Sequence, residues 1–444
     1  MLKFKESKES VASDLLLWQS RPTQVSIKDT YELKIHPVTS IFNEGPIHFE
    51  IKGEPRGMIS NIDIVTTFKV KKGDGNLAEN HHCTIINGFA DAIWDLVDCT
   101  ISDRLSLMQS MRNSYAYQCF FNYCLNSDAN REDYLFSTMA WKMDSGVTKA
   151  DSETSVFKGD GIKNKAAAER ATRIAGSRSV TVTNRLQCPL FTTSKALPTN
   201  MNVRVTLSKN SDKFLLIADE DDYKVEIQDV HLMVTFIRPH DIFHSLIEER
   251  LLKEPAPYII SKPEIIIKPI SQSGRIVRLN HIFPGKLPRH AFFCVQRSRD
   301  FEGSYRTNPM SFCPFSRFQL HINGAPYFND PLEIEYVTEG GQKVYKENAS
   351  FLRQLYKTIG KDVRGCGLIN SKNFQQHFMV GVSLTGDRSS ASAPYLSPQT
   401  EASTQLEIDF GYDANLSEDL ILIVYALYDR IIKISATREI EIID

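Results

Sequence analysis

The sequence predicts an all-β protein built as two sandwiches in tandem, and three observations carry that expectation. Short runs that alternate apolar and polar residues, bounded by Gly, Pro, Asn and Asp, recur from one end of the chain to the other, whereas helical periodicity is scarce. One order of elements, an alternating strand, a polar turn and then a strand apolar on both faces, occurs twice. Between the two occurrences stands a helical stretch followed by closely spaced prolines, as expected of a connector.

The elements follow in chain order. Ser114 to Leu125 is an aromatic-rich helix expected to pack against a sandwich edge. Residues 143–177 form a polar insertion with a short Ala-rich helical piece, Ala166 to Arg173, and a loop of that length in a compact domain usually makes contacts. Val203 to Leu207 alternates cleanly; a polar turn over 208–212 and the apolar Phe214 to Ile217 come next. Leu232 to Ile237 is apolar at almost every position, so it is expected to be a central strand covered on both sides. From Pro239 to Lys253 a helix is expected, with Asp241 as N-cap and Ile242, Phe243, Leu246, Ile247 and Leu251 on one side. Pro255, Pro257 and Pro263 then keep the chain extended.

Phe318 to Ile322 alternates and is followed by Asn323-Gly324, a hairpin signal. Ala349 to Ile359 carries Phe351, Leu352, Leu355, Tyr356 and Ile359 on one helical face. A second insertion, 384–404, is rich in Ser, Ala, Pro and Thr and is expected to be flexible. Leu406 to Phe410 alternates, and Leu420 to Leu427 is a second strand apolar on both faces. These elements divide the chain into an arm over 1–20, a first sandwich over 21–238, a linker over 239–263 and a second sandwich over 264–444. Both insertions are expected to project from sandwich ends.

Composition narrows the function classes. With 444 residues, 42% hydrophobic and 24% charged, the chain has the balance of a globular protein and excludes collagen, coiled coil and bulk disorder. The 52 Lys+Arg against 54 Asp+Glu leave a net charge of −2, so no global basic field attracts nucleic acid or an anionic membrane. Local charge adds little: Lys3, Lys5 and Lys8 face Glu6 and Glu9 in the arm, and the 143–177 insertion has six basic and five acidic residues. Strong direct nucleic-acid binding is therefore not expected. The start resembles neither a secretory signal nor a transit peptide, and the most apolar run, Leu420 to Leu427, is eight residues long, so neither secretion nor a membrane span is expected.

Catalytic and metal chemistry is sparse. The eight cysteines are irregularly spaced and never form CxxC, which fits reduced, buried thiols better than a disulfide scaffold or zinc site. Adjacent residues of His81-His82-Cys83 point to opposite faces of an extended chain, so a polar loop is expected there rather than a metal site. Gly159-Asp-Gly-Ile-Lys-Asn-Lys165 has the wrong spacing to cradle phosphate. Asp219-Glu-Asp-Asp222 lacks the spaced pattern of a calcium loop and reads as a solvated turn. The sequons at Asn348 and Asn415 are expected to be chance. No catalytic, cofactor or metal residues are expected, and no nucleophile elbow, P-loop, dinucleotide fingerprint or HExxH is present.

An ordered set of short motifs resembles a known family. Pro22-Thr-Gln-Val-Ser-Ile27, Gly45-Pro-Ile-His-Phe-Glu-Ile51 and Asn61-Ile-Asp-Ile64 resemble the start of the capsid proteins of Polinton/Maverick elements and adintovirus-like double-stranded DNA viruses. Pro189-Leu-Phe191 with Leu197-Pro198, then Phe301-Glu-Gly-Ser-Tyr305 with Asn308-Pro309, and finally Ile423-Val-Tyr-Ala-Leu-Tyr-Asp429 follow in that family's order. The resemblance spans about residues 20 to 440. It implies a double jelly-roll major capsid protein, two eight-stranded sandwiches in tandem, three copies forming a pseudo-hexagonal capsomer of an icosahedral virion. The implied partners are the chain itself, neighbouring capsomers and penton or minor capsid proteins, with synthesis in the host cytoplasm. Two other classes fit a tandem sandwich: a carbohydrate-binding or attachment protein, and a glycosidase with two carboxylates about 5 to 10 Å apart. A minor capsid role is a further alternative.

Overall fold

The computed structural model describes residues 23–41, 45–75, 78, 82–144, 164–270, 274–334, 336–339, 342–345, 349–361, 367–371, 373–374, 376–391, 396, 398–411 and 419–443. The arm over 1–20, the asparagines of both sequons, Asn348 and Asn415, and the Gly159 to Lys163 part of the glycine-lysine loop lie outside these residues.

The first half contains β1 (Ile27–Ile35), β2 (Ile47–Ile51), β3 (Met58–Lys72), β4 (Cys83–Ile85), β5 (Trp94–Ile101), β6 (Leu105–Ser106), β7 (Val180–Arg185), β8 (Val203–Lys209), β9 (Leu216–Ala218) and β10 (Tyr223–Pro239). The second contains β11 (Ala256–Ile270), β12 (Ile276–Asn280), β13 (His290–Arg297), β14 (Arg317–Ile322), β15 (Ala325–Pro326), β16 (Leu332–Glu333), β17 (Tyr336–Glu339), β18 (Gln342–Tyr345), β19 (Val380–Ser383), β20 (Thr404–Asp409), β21 (Leu420–Ile434) and β22 (Ile440–Ile443). Among the described residues eight α-helices interrupt them: α1 (Phe89–Ala92), α2 (Ser114–Asn126), α3 (Glu132–Met139), α4 (Lys165–Ile174), α5 (Asp212–Leu215), α6 (Asp241–Lys253), α7 (Ser298–Glu302) and α8 (Ala349–Ile359).

The first half pairs its strands in the order β1-β10-β3-β7 in one sheet and β2-β8-β5-β6 in the other. In the second, the orders are β11-β21-β13-β19 and β12-β20-β14-β15, with β22 added to β21 and β16 to β14. Numbered within each half, the eight sandwich strands read 1-8-3-6 and 2-7-4-5 in both, which is the winding of a jelly roll repeated in tandem. The inner faces alternate as the sequence pattern demands: β8 buries Val203, Val205 and Leu207 and turns Arg204 outward.

Local rules account for the turns. Asn323 (φ 51°) and Gly324 (φ 79°) join β14 to β15 as a two-residue loop with both residues left-handed, as the right-handed twist of the flanking strands requires. The three prolines Pro257, Pro263 and Pro269 all fall on odd residue numbers of β11, which lies on the edge of its sheet. Because strand amides alternate sides, all three place their missing N–H away from β21; Ile265, of the same parity, turns its amide and carbonyl outward to Gln109. The prolines expected in a linker over 239–263 therefore sit in an edge strand, which pairs with β21 from Ala256 onward.

Two further expectations are corrected. Leu232 to Ile237 is not buried on both sides: Leu232, Val234 and Phe236 are buried while Met233, Thr235 and Ile237 are half-buried, so the outer face of this strand is only partly covered. Helix α6 forms where expected, but its N-cap is His240 and Asp241 is its first residue, with its carboxylate 3.2 Å from Arg56. Of its five apolar positions only Leu251 is buried. By contrast Leu420 to Ala426 is buried at every position.

His290 of β13 is 1% exposed, and neither ring nitrogen has a hydrogen-bond partner. Burial, aided by the Arg289 cation, pulls its pKa down to about 4 from 6.5. The unfolded chain then binds a proton near pH 6.5 that the folded chain refuses until pH 4, so stability is full above 6.5 and falls as pH drops through this window. The loss amounts to about 3 kcal/mol at roughly 1.4 kcal/mol per unit. On going from pH 7 to pH 4.5 the urea midpoint of the native chain should fall relative to that of His290→Leu, since the raised Asp91 carboxyl, which acts in the opposite sense, and His377 are common to both proteins; a pH dependence identical in the two would refute the assignment.

Candidate functional site

The most elaborate construction in the molecule is the seam where the two sandwiches meet, and α2 is its wedge. Ten of the thirteen residues of α2 are buried, which is why it reads as aromatic-rich rather than amphipathic. Phe121 stacks on Phe312 (5.6 Å, 5°) and on Tyr425 of β21 (5.2 Å, 16°), and Tyr117 stacks on Phe301 (5.5 Å, 16°). This bears on why Leu420 to Ala426 is apolar on both faces: the face that carries Tyr425 meets Phe121 of α2. The helix expected at a sandwich edge thus lies between two sandwiches.

Polar contacts fix the register of the seam. The Tyr117 hydroxyl donates to Gln296 Oε1 at 2.7 Å, and Asn113 Nδ2 donates to Phe301 O at 2.9 Å. Ala218 N donates to Tyr305 O at 2.7 Å, Arg306 Nη1 to Ala218 O at 2.6 Å, and Tyr305 Oη to Tyr223 O at 2.9 Å. The Phe301 to Tyr305 motif has a physical reason here. Gly303 sits at φ 95°, and a Cβ on it would meet Phe214 N at 2.8 Å, so only glycine permits this approach of the two halves.

Beneath the seam lies a buried ion pair. Arg170 of α4 is fully buried and donates Nη2 to Asp144 Oδ1 at 2.7 Å, Nε to Ile85 O at 2.9 Å and Nη1 to Lys142 O at 3.0 Å. Asp144 also accepts from Asn164, which caps α4, at 3.1 Å and from Asn308 of the second sandwich at 2.5 Å. The planar guanidinium fork suits three acceptors at once, and the second carboxylate oxygen ties the pair across the seam. His377 adjoins it: Nδ1 donates to Met310 O at 2.9 Å, the ring lies 5.6 Å from Phe120, and burial holds its pKa below the usual histidine value. The described part of the 143–177 insertion therefore does not project; α4 packs on β4 through Ala166, Ala167, Arg170, Ala171 and Ile174.

The catalytic candidates dissolve into structure. His82 Nδ1 lies 2.6 Å from Asp219, while Cys83 is buried in β4 with its thiol pushed up by burial; His81 lies outside the described residues. Among the described residues, no group of three His, Cys, Asp or Glu converges as metal ligands. Six cysteines are buried thiols and Cys313 is half-buried, while Cys366 lies outside the described residues. Burial pushes the Asp91 carboxyl up to about 7, but it is 1% exposed and accepts from Asn184 at 2.7 Å, so it is an interior acid with no access for substrate. A cavity of about 580 Å3 is lined by Leu287, Ile322, Tyr327, Leu384, Asp387 and Arg388, and one of about 390 Å3 by Gln118, Asn122, Gln187, Ser261 and Tyr425. Neither carries the two carboxylates that glycoside hydrolysis needs. Among the described residues no helix is long and apolar enough to cross a membrane.

Comparison with solved structures matches this geometry. A chain of the Sputnik virophage superimposes with a TM-score of 0.60 at 12% identity, covering 100% of this chain and 93% of that one. The mavirus major capsid protein gives 0.56 at 10% identity, with 100% and 96% covered, and the PBCV-1 virus capsid 0.55 at 11%, with 96% and 99% covered. The fold is a double jelly roll. The likeness runs the full length of the chain and is to capsid proteins rather than enzymes. In sequence, an uncharacterized protein of Caenorhabditis elegans is 20% identical over 438 residues, covering 94% of this chain and 96% of that protein. No family model matches.

The sequence signalled the strands of this site but not its contacts. Arg170 could have been suspected, since an arginine among Ala166, Ala167 and Ala171 on one helical face stands in the small-residue stripe that packs inward. Asp144 and His377 carry no such signal, because their partners are brought in from Asn308 and Met310, far along the chain.

Proposed function

We propose that this chain is the major capsid protein of an icosahedral double-stranded DNA virus or of a virus-derived element, of the Polinton/Maverick and adintovirus-like kind, and that it works by self-association. The observation that carries the reading is the tandem jelly-roll winding over the whole chain, shared with the mavirus major capsid protein at a TM-score of 0.56. Three copies of two like sandwiches place six like units around a threefold axis, which is the geometry of a pseudo-hexagonal capsomer. The seam supports this use: a closed ring requires the two sandwiches of each chain to keep one angle, and Asp144–Arg170, Asn308 and the α2 aromatics hold it.

Exposed apolar side chains on the strands, Leu96 in β5 and Ile276 in β12, are available for contacts between subunits, and the net charge of −2 opposes close packing only weakly. The near full-length nematode relative favours a gene carried in animal genomes as a virus-derived element. Neighbouring capsomers and a penton-type protein are its partners, and the virion its location. Negative-stain imaging of the purified chain tests the reading, with hexagonal outlines or closed shells expected. Well-folded, isolated chains over a range of salt and pH would contradict it.

A further inference from the structure

We propose that residues 11–18, Val-Ala-Ser-Asp-Leu-Leu-Leu-Trp, dock on the apolar flank of α6 in the same chain. Four apolar residues, Ile242, Phe243, Leu246 and Ile247, form one contiguous strip over the first two turns of α6. That strip lies beside the line that the molecule buries: Ile242 is 74% exposed and Leu246 54%, with Phe243 and Ile247 half-buried. Beyond it the same face continues as Glu249, Arg250 and Lys253, so the apolar patch ends after about two turns. A patch of this kind, apolar and charge-rimmed, marks a contact surface.

The chain itself brings an occupant to this place. His240 N donates to Ser26 O at 3.0 Å, so the polypeptide upstream of β1 leaves the fold beside the first residue of α6. Eight Cα–Cα steps lead from Ser26 to Trp18 and span up to about 27 Å when extended, whereas Ile242 and Leu246 lie within about 8 Å of the helix start along its axis. The tether reaches with length to spare. In sequence Val11, Leu15 and Trp18 are spaced by four and three, with Leu16 and Leu17 between them, a spacing that would give one apolar face two turns long, the length of the patch, if the segment becomes helical on docking. Attachment through so short a tether gives the segment a high effective concentration at the patch, which favours it over a second molecule.

Trp18 supplies the test, because the other two tryptophans, Trp94 and Trp141, are fully buried. Acrylamide quenching of the Trp18 emission, taken as the difference between the full chain and Trp18→Phe, should be weak in the native protein and independent of concentration. It should rise severalfold in Ile242→Asp/Leu246→Asp, whose positions are exposed and whose core is untouched, and equally in Leu15→Asp, which leaves α6 intact. Free quenching of Trp18 in the native chain, or protection that survives these substitutions, would overturn the proposal. Protection lost on dilution together with a fall in mass would also overturn it and assign the patch to a second copy.

Discussion

Arg170→Met is expected to destabilise the protein by about 3 to 5 kcal/mol, the cost of leaving one partner of a buried ion pair without the other. Both side chains are out of water, at 0% and 1% exposure, so solvent cannot replace the lost guanidinium. The carbonyls of Ile85 and Lys142 lose their donors as well. Arg170→Lys should be nearly as harmful, since one ammonium cannot reach three acceptors arranged for a planar fork. Removing both charges, in Arg170→Met/Asp144→Leu, should recover part of the loss but not all, because Asn164 and Asn308 then lack their acceptor. Urea denaturation of the four proteins measures this, and a loss below about 1 kcal/mol for Arg170→Met would show that the pair is not the anchor described.

Phe121→Ala should cost a similar amount, about 3 to 5 kcal/mol, and should also change how the molecule unfolds. The ring is fully buried and stacks on Phe312 and Tyr425, so its removal opens a cavity where the two sandwiches touch. Calorimetry of the native chain should show one cooperative transition, and the variant should show two, because each sandwich keeps its own core. A single transition of unchanged midpoint in the variant would contradict the role given to α2.

The strands were legible wherever one face is solvated. Val203 to Leu207, Phe318 to Ile322 and Leu406 to Phe410 alternate with period two and all lie in strands or at their ends. Pro257 and Pro263 predict an extended stretch but not a strand, because proline is usually a strand breaker; their shared parity with Pro269 is the signal of an edge strand with one side unbonded. Leu232 to Ile237 misled in the opposite sense, since apolar residues on an uncovered sheet face look the same in sequence as residues in a buried strand. The seam was hidden for a topological reason. Tyr117 meets Gln296, and Asp144 meets Asn308, across well over a hundred residues, and no local pattern encodes such a pairing. The motifs that resemble a capsid family nevertheless fall on it: Gly303 is held to glycine by Phe214, and Asn308 by Asp144.

Assembly of the chain with copies of itself is read from the solution mass of the purified full chain, measured by light scattering across a dilution series. A trimeric capsomer has a mass near three times 50.4 kDa, and this value should persist on dilution. A well-folded species that stays at 50.4 kDa at every concentration, salt and pH would contradict it.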